Sequence, residues 1–158
     1  MEIYLLRHAI AESAKPGAPD SERPLTDAGR QKLRAVLERA AAAGVEPSLI
    51  LTSHYLRARE TARIAGEILH CRRVVETDAL VPSSTPEDIW SLICEHRREE
   101  AVLLAGHEPL LSLTLAFLLG APQLQVDFKK AALARVDQET FRGEPRATLK
   151  WLLTPRLV

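Results

Sequence analysis

The chain has 158 residues with 21 basic and 21 acidic side chains, and 46% of its residues are hydrophobic. This length fits one domain, residues 1–158, which can bury roughly 70% of the surface that the unfolded chain exposes. The balanced charge gives no reason to expect a nucleic-acid or membrane partner. The longest apolar run, residues 109–120, is far shorter than the roughly 20 residues that span a bilayer.

The cysteines and the N-terminus indicate the compartment. Cys71 and Cys94 lack the spacing of a metal or redox motif, which favours reduced thiols. The N-terminus has a strand pattern that includes Glu2, in place of the charged and apolar segments of a signal peptide. We therefore expect a cytoplasmic protein.

Six segments rich in apolar and β-favouring residues predict strands. Those at 3–6, 49–51 and 102–105 are continuously apolar, which is typical of strands buried on both faces in a parallel sheet. The last two, separated by DQETFRGEP, have the pattern of a hairpin added at one edge of the sheet. In chain order the predicted strands cover residues 2–6, 48–52, 72–76, 101–105, 131–136 and 146–153.

Four helical patterns lie between these strands. In the first, Thr26 can cap the start and Gly44 can end the helix. In the third, Thr85 and Asp88 have the spacing of a capping box. The fourth is apolar on almost every side, which predicts deep burial. The predicted helices cover residues 25–44, 56–70, 84–98 and 109–119, and their alternation with strands predicts a three-layer α/β/α fold with a mostly parallel central sheet.

Basic residues follow three of the predicted strands, at the sheet edge where ligands of α/β proteins bind. The first strand ends in Arg7-His8, the second leads through Thr52-Ser53-His54 to Arg57, and the fourth ends in Gly106-His107. Each residue alone has an ordinary structural interpretation as a polar strand or helix boundary. Together they predict an anion site, and phosphate is the usual anion at such a site.

This residue set suggests a covalent phosphoryl-transfer reaction. One histidine can attack phosphorus and hold it, which divides one displacement into two steps. The guanidinium groups can hold the phosphoryl oxygens, so no metal ion or other cofactor is needed. A metal site through His8 and His107 is the less favoured alternative, because such sites usually have three protein ligands and the two histidines supply only two.

Four segments of the chain resemble the histidine phosphatase superfamily, also called phosphoglycerate mutase-like. They are LLRHAIAE, ERPLTDAGRQ, TSHYLRARETARIA and LAGHEPLL, in the order and at the spacings of that family. The short chain is most similar to the SixA-type branch, the phosphohistidine phosphatases. The glycine that follows the first histidine in most of the superfamily is replaced by Ala9, which also occurs within this branch.

The resemblance implies a role for each matching residue. His8 would be the nucleophile that becomes phosphohistidine, and Arg7 and Arg57 would clamp the phosphoryl group. His107 would donate a hydrogen bond to a phosphoryl oxygen. Arg23 lies where the branch keeps an arginine near the pocket. His54 and Arg59 match no invariant position of the family, and we expect Arg59 on the helix surface.

One departure from the larger members of the family bears on the substrate. Those members place an acid shortly after a leucine that follows the third strand, where it protonates the leaving group. Here Leu80 is followed by Val81-Pro82. An N-linked leaving group departs without that acid more readily than an alcohol does, so its absence favours phosphohistidine. The carboxylates that remain open as substitutes are Glu12, Glu22, Asp78 and Glu108.

The expected protein is therefore a metal-independent phosphatase that acts through phospho-His8. Its partner would be a phosphorylated protein such as a histidine phosphotransfer domain, since little sequence is available to form a lid over a small metabolite. Two alternatives stay open: a broad phosphomonoesterase or phosphosugar phosphatase that takes a small phosphoester, and a non-catalytic phosphoprotein-binding module. We expect a monomer or a weak dimer.

Overall fold

The continuously apolar segments form the centre of a six-stranded sheet in the computed structural model, which describes residues 1–158. The strand order is β3-β2-β4-β1-β5-β6. The first four strands in this order are parallel, and β5 and β6 pair antiparallel at one edge, as the hairpin pattern predicted. The strands are β1 Glu2–Arg7, β2 Leu49–Thr52, β3 Val74–Glu76, β4 Ala101–Gly106, β5 Leu133–Asp137 and β6 Thr148–Leu153.

Helices cover both faces of this sheet. Successive side chains of each buried strand point to opposite faces, so each strand contributes to the core on both sides. In β1, Tyr4 and Leu6 belong to one core cluster, while Ile3 and Leu5 belong to the other. The first cluster also contains side chains of α1 and α2, and the second contains side chains of α3 and α4. The three-layer α/β/α prediction is confirmed. The helices are α1 Asp27–Ala42, α2 Leu56–Ile68, α3 Pro86–Glu95 and α4 Leu110–Leu118.

The predicted capping residues lie at the helix ends. The Thr26 hydroxyl accepts a hydrogen bond from the backbone N–H of Gly29 at 3.0 Å, and Gly44 follows α1 with a φ of +80°. Thr85 and Asp88 form the reciprocal capping box at the start of α3. These bonds satisfy donors that the first turn of a helix otherwise leaves unpaired.

Two elements differ from the sequence prediction. Helix α4 is not buried on every side, because Leu113 is 53% exposed. Strand β3 is shorter than predicted and its side chains are exposed, since it lies at the free edge of the sheet. Residues 13–24, between β1 and α1, contain one turn of 3-10 helix at Asp20–Glu22. No helix has both the length and the apolar composition needed to cross a bilayer.

Gly29 brings the start of α1 against the chain segment that follows β1. A Cβ atom at this position would lie 2.3 Å from the carbonyl oxygen of Ile10, a distance that no side chain can occupy. The Thr26 hydroxyl also donates to that carbonyl at 3.2 Å. The L-T-x-x-G pattern of the sequence thus fixes the path of the backbone two residues after His8.

Candidate active site

His8 is held at the carboxyl end of β1 by backbone hydrogen bonds on both sides. Its N–H donates to the carbonyl of Gly106 at the end of β4, at 3.0 Å. On the other side, the N–H of Ala131 approaches the carbonyls of Arg7 at 3.2 Å and His8 at 3.3 Å. The His8 residue is 7% exposed. The central position of β1 in the sheet therefore fixes the backbone at His8.

The hydrogen bonds of His8 define which ring nitrogen is available for chemistry. Its Nδ1 lies 2.7 Å from the carbonyl oxygen of Ala9, which can only accept, so Nδ1 carries the proton. Its Nε2 accepts a hydrogen bond from Nε of Arg57 at 3.3 Å. The lone pair of Nε2 therefore points toward the guanidinium group, as a nucleophile beside a phosphoryl site requires.

Arg57 reaches the site from the first turn of α2, and its residue is 4% exposed. Thr61, one turn later, donates its hydroxyl to the carbonyl of Arg57 at 2.7 Å and accepts from the N–H of Ala9 at 3.2 Å. This hydroxyl ties Ala9, the residue after His8, to the helical turn that carries Arg57. The R-A-x-x-T spacing in the sequence thus places the Thr61 hydroxyl where it bonds to the backbone of both Arg57 and Ala9.

Arg7 and His107 place buried polar atoms without hydrogen-bond partners at the site. Nη1 of Arg7 donates to the carbonyl of Phe128 at 2.6 Å, whereas its Nε has no partner. His107 follows β4, is 1% exposed, and neither ring nitrogen has a partner. The His8 and His107 ring centres are 5.1 Å apart. Buried polar atoms are almost always paired, so this set is suited to an incoming acceptor such as a phosphoryl oxygen.

Arg23, the fifth predicted residue, is connected to this group through a carboxylate. Asp20 accepts from Nη2 of Arg57 at 3.0 Å and from Nε of Arg23 at 2.7 Å. The Arg23 side chain also donates to the carbonyl of Glu12 at 3.0 Å. The structure thus brings Arg7, His8, Arg57 and His107 together and places Arg23 one residue further out.

Sequence reasoning missed two residues of the site, Asp20 and Tyr55. The Tyr55 ring lies under the guanidinium of Arg57, with its centre 4.8 Å from Cζ, and meets His107 edge-on with 5.1 Å between ring centres. An aromatic residue two positions before a pocket arginine is a signal that the sequence contained. Asp20 is one acid in a polar loop, and nothing in the sequence distinguishes it.

Both histidines are neutral at neutral pH. Burial, followed by the nearby charges of Arg57 and Arg7, lowers the pKa of His8 to about 4 against the opposing effect of its bond to Ala9. Burial, followed by His8 and Arg57, lowers the pKa of His107 to about 3. A neutral His8 keeps the lone pair that a nucleophile needs.

The carboxylates considered as leaving-group acids make their contacts elsewhere, although the charge of Glu108 acts on Arg7. Glu108 accepts from the N–H of Ser112 at 3.0 Å, and the exposed Asp78 lies 3.1 Å from Nδ1 of His54. Glu12 and Glu22 are exposed. None of these four carboxylates forms a hydrogen bond with Arg7, His8, Arg57 or His107.

Among the residues that match no invariant family position, Arg59 has a side chain that is 51% exposed and pairs with Glu76 at 3.1 Å. It lies on the surface of α2, as expected.

Comparisons with known proteins define the class of this fold and site. The sequence profile described as "Histidine phosphatase superfamily (branch 1)" matches residues 3–81, which is half of the chain. An uncharacterised protein from Picosynechococcus is 32% identical and is covered over 99% of its length, with 97% of this chain aligned. The chain belongs to the histidine phosphatase superfamily and is a phosphatase of that superfamily.

Within this superfamily, the chain is similar to SixA proteins. The phosphohistidine phosphatase SixA of Escherichia coli is 26% identical, with 98% of this chain and 94% of SixA aligned. A solved structure of the protein histidine phosphatase SixA complexed with tungstate superposes with a TM-score of 0.88 at 25% identity, over 99% of both chains. The likeness extends along the whole chain and includes the phosphoglycerate mutase-like fold.

Proposed function

We propose that this chain is a metal-independent phosphohistidine phosphatase that works through a phosphoryl group carried on Nε2 of His8. One observation carries the proposal. The lone pair of His8 Nε2 faces the Nε–H of Arg57, and the buried site also contains unpartnered polar atoms of Arg7 and His107. The names of the SixA relatives support the same chemistry.

The reaction proceeds in two displacements. Nε2 of His8 attacks phosphorus, the new N–P bond forms, and the bond to the leaving group breaks with its electron pair going to the leaving nitrogen. Water then attacks phosphorus, the bond to His8 breaks, and the electron pair returns to Nε2 as inorganic phosphate and a proton are released. In both steps the Nε–H of Arg57, which donates to Nε2 in the free site, donates to a phosphoryl oxygen. Arg7 and a protonated nitrogen of His107 contact the remaining oxygens.

The environment of the site favours an N-linked phosphoryl substrate. An alkoxide leaving group has a high pKa and needs a proton donor, whereas a protonated imidazole leaves as a neutral ring. The four candidate acids are bonded elsewhere or exposed, and the pKa of Asp20, the carboxylate nearest Arg57, is lowered. Slight burial opposes the ionisation of Asp20, but the charges of Arg57 and Arg23 outweigh it. The substrate we propose is phosphohistidine on a partner protein such as a histidine phosphotransfer domain.

Trapping of the covalent intermediate tests the nucleophile. Wild-type protein incubated with ³²P-labelled phosphohistidine protein and quenched in alkali should carry acid-labile, alkali-stable label. His8→Asn, which keeps a polar side chain of similar reach, should carry none. His54→Asn is the matched control, because His54 is exposed and bonded to Asp78, and it should label like the wild type. Labelling of His8→Asn would contradict the proposal.

Relative rates on three substrates test the leaving-group argument. Phosphohistidine and phosphoramidate should be hydrolysed much faster than an alkyl phosphate, and a chelator should leave these rates unchanged. Comparable rates on phosphoramidate and the alkyl phosphate would point to a broad phosphomonoesterase. Stoichiometric binding of phosphohistidine protein without turnover would point to a binding module.

A further inference from the structure

Asp20 joins two arginines of the site through separate carboxylate oxygens. Its Oδ2 accepts from Nη2 of Arg57 at 3.0 Å, and its Oδ1 accepts from Nε of Arg23 at 2.7 Å. Its backbone carbonyl accepts from Nη1 of Arg57 at 2.8 Å. No other carboxylate forms an ion pair with either arginine.

These contacts leave one edge of the Arg57 guanidinium facing the nucleophile. The group is planar and rigid, so holding Nη1 and Nη2 fixes the direction of the Nε–H bond. That bond is directed at Nε2 of His8 at 3.3 Å. The outer edge of Arg57 is held by one residue, and the inner edge is presented to the place where phosphorus would bind.

We propose that Asp20 is a positioning residue: it holds Arg57 with its Nε–H directed at Nε2 of His8, and it holds Arg23 at the rim of the site. This inference rests on the proposed function, because it assigns Arg57 to the phosphoryl group. Asp20 forms hydrogen bonds with Arg57 and Arg23 and none with His8, so it acts through Arg57.

The alternative role for Asp20 is that of an internal anion that competes with the phosphoryl group for Arg57. Two features favour positioning. The carboxylate lies on the Nη edge, away from the Nε–H that faces His8. The backbone carbonyl of Asp20 also holds Arg57, and a neutral carbonyl does not compete with the phosphoryl group for the guanidinium charge. The two roles predict opposite signs for anion affinity.

Asp20→Asn tests the proposal, because it removes the charge while keeping the size of the side chain. Turnover of phosphoramidate should fall between about 10-fold and 100-fold in kcat/KM, with kcat carrying most of the loss, as expected when a reacting group is misplaced. The dissociation constant for tungstate, measured by calorimetry, should rise. Asp27→Asn is the matched control: it removes one charge from a fully exposed side chain at the start of α1, and both quantities should match the wild type. Tighter tungstate binding by Asp20→Asn would overturn the proposal in favour of competition.

The titration of His8 by NMR gives a readout that a merely structural role would not change and that does not depend on any substrate. The groups that face His8 are Arg7 from β1, Arg57 from α2, His107 after β4, and Lys130 before β5. If Asp20→Asn releases Arg57 from His8, the pKa of His8 rises toward its ordinary value. If the carboxylate acts only through its charge, removing it lowers that pKa further, and the proposal fails.

The two proposals can fail separately. A protein that shows no phosphohistidine turnover, yet loses tungstate affinity and shifts the His8 titration on Asp20→Asn, refutes the proposed function and retains the positioning role. Normal turnover and titration in a folded Asp20→Asn protein refute the positioning role alone. Asp20→Glu, whose longer side chain retains the charge, should recover part of the lost kcat if position and charge both matter.

Discussion

The two neutral, buried histidines make the stability of the fold depend on pH between 7 and 5. In the folded state the pKa of His8 is about 4 and that of His107 about 3, whereas each has an ordinary value of 6.5. A base whose pKa is lowered on folding binds fewer protons in the folded state. The free energy of unfolding therefore falls as the pH drops below the unfolded-state pKa, and it stops falling only at the folded-state pKa.

The size of this loss at pH 5 depends little on the exact folded-state pKa values. At that pH both rings remain almost entirely neutral in the folded protein, whereas about 97% of each is protonated in the unfolded chain. The loss from pH 7 to pH 5 is therefore about 2 kcal/mol for each histidine, or about 4 kcal/mol for the pair. Carboxylates with lowered pKa values, such as Asp137 bonded to Arg135, contribute mainly below pH 4, because their ordinary pKa is 3.8.

Urea unfolding of the wild type and His107→Asn at pH 7 and pH 5 checks this expectation. The variant should lose about half as much stability over this range as the wild type. His70→Asn, on the exposed turn that follows α2, is the matched control and should keep the pH dependence of the wild type. A wild-type loss below about 1 kcal/mol, or an equal loss in wild type and His107→Asn, would refute the reasoning.

Three other perturbations follow from the structure. Gly29→Ala should lower the free energy of unfolding by about 2 kcal/mol or more, because its Cβ would overlap the carbonyl of Ile10. Ala28→Gly is the control for helix propensity alone. Equal losses of the two variants in urea unfolding would contradict the packing argument. Tyr55→Leu should lower kcat for phosphoramidate several-fold while Tyr55→Phe retains it, because the ring and not the hydroxyl supports Arg57. Equal rates for the two variants would show that the ring does not support Arg57. Tungstate at 100 times its dissociation constant should raise wild-type stability by about 2.7 kcal/mol and should stabilise Arg57→Ala far less, as followed by thermal unfolding; an equal gain in both would place the anion elsewhere.

The sequence predicted the layers of the fold because its buried strands have a strong pattern. Runs such as residues 102–105 are apolar without alternation, which is typical of a strand in a sheet covered on both faces. The strand order could not be derived in this way, because a buried run carries no information about which strands flank it. The exposed side of α4 was also missed: Leu113 lies at the surface, and an exposed leucine is indistinguishable in sequence from a buried one.

The four central residues could be placed together because three strand ends carried them and parallel strands end at one edge. Asp20 could not be placed in the same way. It lies in a loop where proline, serine and acidic residues are common, and its function depends on two long side chains that converge on it from α2 and from its own turn. Such a contact is a property of loop geometry, which periodicity does not report.

The position of β4 between β1 and β2 has a consequence for the order in which the site can form during synthesis. The first two strands are consecutive in the chain, but both pair with β4, whose residues are made about fifty positions after β2. The carbonyl that binds Arg7 belongs to Phe128, which is made later still. An emerging chain that ends before residue 100 contains His8 and Arg57 but lacks β4, the strand that lies between β1 and β2 and pairs with both. The candidate active site is therefore one of the last parts of the molecule to become complete.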